Sequence, residues 1–299
     1  MEIAHKTVKL SYVTDLHLSL QRPDRNASLI KKIKIAGPAV KAFIFGGDTF
    51  SLAGKQNWEP LINRPINRSE LKERIKESRS LVDGLLPGIM EAANGRSVFM
   101  LQGNGDAIAF RYLTQISNKY PNLKLINNIP IEFYGYYIVG VGGIEPDNED
   151  ARRIMTNNPW YGGIINPSDY RARFVNLSVK YDIPWRKTIF MTHQPAFGYV
   201  DEYKGEHKGS VIVLGHLLLK NPIIHLAGHV HSAPVVEKVY TEDKISALIG
   251  IGTGDRTLSI NPGGDVLHDT PDGVRMNIIS LDEQFKCTPQ EIQASIIPI

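Results

Sequence analysis

Leu226-Ala227-Gly228-His229-Val230-His231 closes an apolar run that starts at Pro222, and sets two histidines one residue apart where the run ends. Read as a strand, residues 222–227 repeat every two positions and carry both imidazoles to one face at the carboxyl end. Open α/β sheets bind their ligands at that end. A Gly-His-x-His string alone is equally a pair of hydrogen-bonded surface or core histidines. It gains meaning only if carboxylates and further histidines stand at the ends of other strands.

Upstream, the same pattern recurs. Val8-Lys9-Leu10-Ser11-Tyr12-Val13 alternates as a first strand and leads to Asp15-Leu16-His17, again two positions apart. Lys41-Ala42-Phe43-Ile44-Phe45 is an apolar run of buried-strand length, followed at once by Gly46-Gly47-Asp48. Glycines there allow a sharp turn and the close approach of a ligand. Ser97-Val98-Phe99-Met100-Leu101 leads to Gln102-Gly103-Asn104-Gly105-Asp106. Thr188-Ile189-Phe190-Met191 ends on Thr192-His193-Gln194-Pro195, where the proline holds Gln194 extended. Any one of these polar residues is explained as a turn or a helix cap. Five strand-like segments that each end in Asp, His or Asn are not.

Between the strands, helix spacing marks residues 28–40, broken at Gly37-Pro38, and a helix starting near Ser69 with Leu71, Ile75, Val82, Leu86 and Ile89 on its apolar stripe. Further helices are expected over 107–119, 168–180 and near 210–220. Residues 136–141 read as another strand, and 235–239, 246–251 and 276–281 as antiparallel strands, with Asn261-Pro262-Gly263-Gly264 turning the chain between the last two. Residues 145–184 are rich in Asp, Asn, Arg and Pro, and read as a lid or a long surface excursion. No repeat or linker divides the chain, so one domain over 1–299 is expected, with 285–299 as a C-terminal tail.

Composition narrows the class. With 299 residues, 42% hydrophobic and 22% charged, the chain has the make-up of a globular α/β protein with a sizeable core. A net charge of +3 is too small to announce a nucleic-acid binder, although it would not repel phosphate. Cys287 is the one cysteine, which fits a reducing compartment. The opening residues lack the apolar core of a signal peptide, and no window approaches the roughly eighteen apolar residues of a membrane span. The expectation is a soluble, cytoplasmic protein with no membrane partner.

Collected, the strand-end residues are Asp15, His17, Asp48, Asn104, His193, His229 and His231. Carboxylate, amide and imidazole donors without thiolate suit divalent ions such as Mn²⁺, Fe²⁺ or Zn²⁺. Seven donors exceed the needs of one ion. Two ions sharing a carboxylate, about 3.5–4 Å apart, resolve the count and form a phosphoester-cleaving arrangement.

Asp15-Leu16-His17, Gly47-Asp48, Gly103-Asn104-Gly105-Asp106, Thr192-His193 and Gly228-His229-Val230-His231, in this order, resemble the calcineurin-like metallophosphoesterase superfamily. The run His193-Gln194-Pro195-Ala196-Phe197-Gly198, then Gly205-Glu206-His207-Lys208-Gly209-Ser210, is similar to its small phosphodiesterase-like branch. The resemblance implies an α/β fold, a four-layer αββα sandwich of two packed mixed sheets flanked by helices, with the metals at one edge. By position, Asp15, His17 and His231 hold the first ion, Asn104, His193 and His229 the second, and Asp48 bridges. It implies a hydroxide between the ions as nucleophile, a small phosphoester as substrate, and Asn104 also steadying the phosphoryl oxygens.

One position departs from the pattern. The family's third motif carries a histidine where this chain has Gly105, and a lost general acid typically removes about 10²–10⁴ in rate, most severely for poor leaving groups. His207 is a candidate replacement, although a solvated loop histidine explains it as well. Asp106 keeps its motif position with no histidine to orient, and is expected to cap a helix or support the ligands. Gly105 also motivates a second reading, a binding scaffold that keeps the fold without catalysis, against which stands the full ligand set. A nuclease would need a basic stripe or interleaved aromatics. The densest positive cluster, Lys31-Lys32-Ile33-Lys34, is explained by a wet helix face.

Overall fold

The strands Ala42–Phe45, Thr188–Thr192 and Ile224–Leu226 are buried along their whole length, which is why no solvent-facing residue alternates in them, whereas Thr7–Val13 alternates at its start, with Thr7 and Lys9 exposed. The computed structural model describes residues 7–50, 55–231, 235–239, 257–261, 276–282 and 294–295. Its first half runs β1 (Thr7–Val13), α1 (Pro23–Ala36), β2 (Ala42–Phe45), α2 (Lys55–Asn63), α3 (Arg68–Ala93), β3 (Ser97–Met100) and α4 (Ala107–Ile116). Three short strands follow, β4 (Leu123–Leu125), β5 (Ile131–Phe133) and β6 (Tyr136–Val141), then α5 (Glu149–Asn157) and α6 (Pro167–Lys180). The second half continues with β7 (Thr188–Thr192), the hairpin β8 (Glu202–Tyr203) and β9 (Glu206–His207), α7 (Val211–Lys220) and β10 (Ile224–Leu226). The last described strands are β11 (Val235–Val239), β12 (Thr257–Asn261), β13 (Asn277–Asp282) and β14 (Ala294–Ser295).

Two mixed six-stranded sheets result. The first has the order β14-β13-β1-β2-β3-β4, parallel from β1 to β4 with β13 antiparallel to β1. The second has the order β11-β12-β10-β7-β6-β5, parallel from β12 to β6 with antiparallel strands at both edges.

The period of two sorts the side chains into three apolar layers. Phe43, Phe45, Val98 and Met100 face out of the first sheet onto α1, α3 and α4, against Leu29, Ile33, Val82, Leu86 and Phe110. Their neighbours Ala42, Ile44 and Phe99 face the other way and meet Ile138, Ile189, Met191, Ile224 and Leu226 of the second sheet. Val139, Val141 and Phe190 face out of the second sheet onto Tyr170, Phe174 and Leu177 of α6 and Val213 and Leu217 of α7. Helices, sheet, sheet, helices is the four-layer αββα sandwich. Each fully buried large side chain contributes about 1.5–3 kcal/mol.

Helix starts follow local chemistry. α3 begins one residue before the expected Ser69, because Asn67 accepts the N–H groups of Ser69 and Glu70 while Glu70 bonds back to the Asn67 N–H. α1 starts earlier than residue 28, on Pro23, whose fixed φ and missing N–H suit a first helical position. The helix expected over 107–119 is α4 followed by one 3₁₀ turn, Ser117–Lys119.

Several strands escape the sequence reading. β4, β5 and β12 are too short or too polar to register as apolar runs, and the expected strand 246–251, the turn 262–264, Cys287 and most of the tail 285–299 lie outside the described residues. Among the described residues, no helix is long and apolar enough to cross a membrane.

Candidate metal centre

The parallel strands β1, β2, β3, β7 and β10 release their chains at the edge where the two sheets meet. Four loops are laced there in two pairs: Asp15 N–H donates to Gly47 O (3.1 Å) and His17 N–H to Asp48 O (2.8 Å), joining the loops after β1 and β2, and Gly228 N–H donates to His193 O (2.9 Å), joining those after β10 and β7. Tyr12, on β1, donates its hydroxyl to Ala227 O at 2.7 Å and so ties the first sheet to the loop after β10.

The strand pleat is not what aims the ligands. β1 stops at Val13 and β10 at Leu226, and the pairs Asp15/His17 and His229/His231 lie beyond them. Asp15, His17, Asp48 and His229 all adopt positive φ, at 53°, 42°, 50° and 66°. For residues other than glycine this region costs on the order of 1–3 kcal/mol each, and such strain gathers at functional sites. Gly47, at φ 108°, passes so close to His193 that a Cβ there would stand 2.4 Å from Nδ1.

With Asn104, His193 and His231, whose φ is not positive, Asp15, His17, Asp48 and His229 form one cluster. His231 Nε2 lies 3.3 Å from Asp15 Oδ1, and donor atoms of Asp15, His17 and His231 all lie within 4.8 Å of one another. A second group on the same terms is Asp15, Asp48 and His193. Asp48 Oδ2 is 3.6 Å from His193 Nε2 and 3.8 Å from His17 Nε2, so it stands between the groups. Asn104 Oδ1 is 3.0 Å from both His193 Nε2 and His229 Nδ1.

The electrostatics explain what such a cluster wants. Asp15 and Asp48 are buried, at 1% and 2% exposure, so each needs positive charge close by. Burial opposes ionisation of Asp15, yet the charges of His193, His231 and His17 hold it well below the ordinary carboxylate range. His193 is pushed up to about 10, because Asp48 and Asp15 outweigh the burial that would lower it. His17 is held down to about 4 by burial, and so stays neutral with a lone pair to give.

The outer edges of two imidazoles are also engaged. His193 Nδ1 donates to Gly46 O (3.0 Å), and His229 Nε2 faces the Asp147 carboxylate (3.1 Å). Metal-bound histidines are oriented in this way, the outer N–H donating so that the inner nitrogen keeps its lone pair. A cation that displaces the proton His193 otherwise carries would meet both inner nitrogens and the Asn104 oxygen, which converge on one point. The residues present therefore fit the metals that the donor set implies.

Asp106 stands behind this group. Its buried carboxylate accepts Gly103 N–H (2.8 Å) through Oδ1 and Thr49 N–H (3.0 Å) through Oδ2, tying the loops after β2 and β3. Burial and the nearby Asp48 charge push it up to about 7. It precedes α4 but makes no side-chain cap there. His207 is not drawn into the cluster. Its Nδ1 donates to the buried Asp201 at 2.7 Å, its ring packs beside Phe197, and the side chain is half exposed at the hairpin. Gly105, where the resemblance leads one to expect histidine, gives its N–H to Asp48 Oδ1 (2.6 Å) and accepts the Tyr161 hydroxyl on its carbonyl (3.0 Å).

Asp147 and Tyr161 were missed from the sequence. For Asp147 a signal exists: β6 runs into Gly142-Gly143-Ile144-Glu145-Pro146-Asp147, a strand, a glycine pair and a carboxylate, as at Gly46-Gly47-Asp48.

A four-layer sandwich with carboxylates and imidazoles gathered where its two sheets meet defines an α/β protein with a candidate metal site. The sequence profile described as metallophosphoesterase, calcineurin superfamily, matches residues 9–243, and the chain belongs to that family. One crystal structure is similar with a TM-score of 0.64 at 15% identity, over 98% of this chain and 99% of its own. A putative 5′-nucleotidase from Staphylococcus aureus is similar at 0.50 and 14% identity, over 98% of this chain and 54% of its own, so this chain spans about half of that protein. An archaeal phosphodiesterase matches at 0.38 and 15% identity, over 97% and 100%. At these identities the first two likenesses show the fold. No curated protein matches the sequence.

Proposed function

We propose that the chain is a dinuclear phosphoesterase acting on small phosphodiesters, with phosphomonoesters as the alternative, that it favours good leaving groups, and that its metals are drawn from Mn²⁺, Fe²⁺ and Zn²⁺. Asp15, His17 and His231 would hold one cation, and Asn104, His193 and His229 the other, with Asp48 shared. The observation that carries this reading is the double convergence: two imidazoles on the Asn104 oxygen, and the remaining ligands on two buried carboxylates. When bound, the two ions lower the pKa of water and draw charge from the phosphoryl oxygens.

The chain's own residues supply the rest. Asp48 is aimed by the Gly105 N–H, and Asp106 keeps the Asp48 and Asn104 loops at a fixed separation. Asn104 turns its oxygen to the imidazoles, which leaves its amide hydrogens for a phosphoryl oxygen. Nothing at Gly105 can pass a proton to a departing oxygen, which favours leaving groups that need none. His207, bound to Asp201 outside the ligand cluster, is not placed to give that proton, and a single cysteine, Cys287, suits work in a reducing, cytoplasmic setting.

Hydrolysis of bis(p-nitrophenyl) phosphate by metal-stripped protein resupplied with Mn²⁺, Fe²⁺ or Zn²⁺ tests the reading. Turnover with at least one ion is expected. Two bound ions without turnover for any of them would leave the scaffold reading instead.

A further inference from the structure

We propose that Asp147 is a positioning residue for the second cation, an inference that rests on the dinuclear reading above. The carboxylate belongs to none of the strand-end motifs, yet it makes a side-chain contact with one of the seven ligands. Asp147 Oδ2 lies 3.1 Å from His229 Nε2, while the opposite nitrogen of the same ring, Nδ1, faces Asn104 Oδ1 at 3.0 Å. An imidazole anchored at Nε2–H is held in the tautomer whose lone pair is on Nδ1, and its rotation about the ring axis is stopped.

Asp147 is itself held. Asn148 donates its Nδ2 to Asp147 Oδ1 (3.0 Å) and, through its own Oδ1, accepts Ala151 N–H (2.8 Å) as the N-cap of α5. Two residues upstream, Glu145 N–H donates to Gln194 Oε1 (3.0 Å), and Gln194 follows His193 in the chain. One short segment thus braces the loops that carry both imidazoles of the second group. α5 is therefore connected, through Asn148, Asp147 and His229, to the metal centre, a role for part of the 145–184 stretch.

The test compares the full chain with Asp147→Ala and Asp147→Asn. Metal-stripped proteins are titrated with Zn²⁺ by calorimetry, and the imidazole N–H signals of the Zn²⁺-loaded forms are recorded by ¹⁵N–¹H NMR. Wild type is expected to take two ions and to show a protected His229 Nε2–H. Asp147→Ala should weaken one site about 10- to 100-fold, leave the other within about threefold, and lose the protected proton. Asp147→Asn, whose amide oxygen still accepts, should fall between the two. Wild-type affinity at both sites in Asp147→Ala overturns this inference alone, and so does an equal loss at both sites with a lowered melting temperature. A wild type that binds only one ion overturns it together with the dinuclear reading. Two tightly bound ions without hydrolysis overturn the enzyme and leave the role of Asp147 standing.

Discussion

Asp48 shows how much a single side chain carries here. Its Oδ1 is fixed by the Gly105 N–H, its Oδ2 lies within 3.8 Å of two imidazoles, and its own backbone takes a left-handed φ to put it there. Asp48→Asn keeps the shape and removes the charge shared by both cation sites. It is expected to lower the rate by more than about 100-fold, beyond the range for groups that merely orient a ligand, with metal content falling in parallel. Gly228 is constrained from outside: a Cβ would stand 2.2 Å from Thr14 Oγ1 and 2.6 Å from Asp15 Oδ2. Gly228→Ala should cost about 1–3 kcal/mol in urea unfolding, and should cost metal affinity as well, because the loop that carries His229 and His231 has to move away from Asp15. All seven candidate ligands were legible as residues, because each follows an apolar run. The aim of Asp15, His17, Asp48 and His229 was not, since it comes from positive-φ turns rather than from the alternation of a strand.

At the scale of elements, β10 and α7 carry two histidines that play no part in the site. His225 bonds Thr192 Oγ1 and Ser259 Oγ, both at 2.8 Å, across three neighbouring strands. His216, on α7, is enclosed by Phe174, Trp185 and Phe190 at ring distances of 5.0, 4.9 and 5.0 Å. Burial holds each down to about 3, with a small addition from Lys220 for His216 and from His216 for His225. Unfolded, each takes up a proton near its usual 6.5, so between 6.5 and 3 the unfolded chain binds more protons. Stability is therefore full above about pH 6.5 and falls as pH drops toward 3, by about 1.4 kcal/mol per unit for each histidine. His216→Phe should remove about half of this slope, seen as a smaller drop in the urea midpoint between pH 7 and pH 5. α2 and α5 form a separate small cluster, with Leu61, Ala151 and Ile154 inside it. The buried Asn158 side chain joins them by accepting Ile66 N–H and donating to Leu61 O and Arg64 O. Asn158→Ala should cost about 1–3 kcal/mol, appearing as faster hydrogen exchange in residues 61–66 and 149–157 while the sheets stay protected. This lobe was invisible in the sequence because its contacts join polar segments about ninety residues apart.

For the whole molecule, the two-sheet core was legible because strands covered on both faces read as unbroken apolar runs, as in Ala42-Phe43-Ile44-Phe45. Where that signal fails, the reading failed with it: β12 is Thr257-Leu258-Ser259-Ile260-Asn261, whose Ser259 is buried against His225 rather than solvated. The layer order came from the family resemblance, and the three apolar layers account for it physically. What the fold achieves is to bring the carboxyl ends of two parallel strand sets to one edge, so that ligands from residue 15 to residue 231 converge without any local sequence cluster. On the proposed reading, two cations, not one, make this edge a phosphoesterase. Adding Mn²⁺ in measured equivalents to metal-stripped protein while following bis(p-nitrophenyl) phosphate hydrolysis tests it most directly. Hydrolysis should stay near background through the first equivalent and rise with the second. Full activity at one equivalent, or none after both are bound, would contradict it.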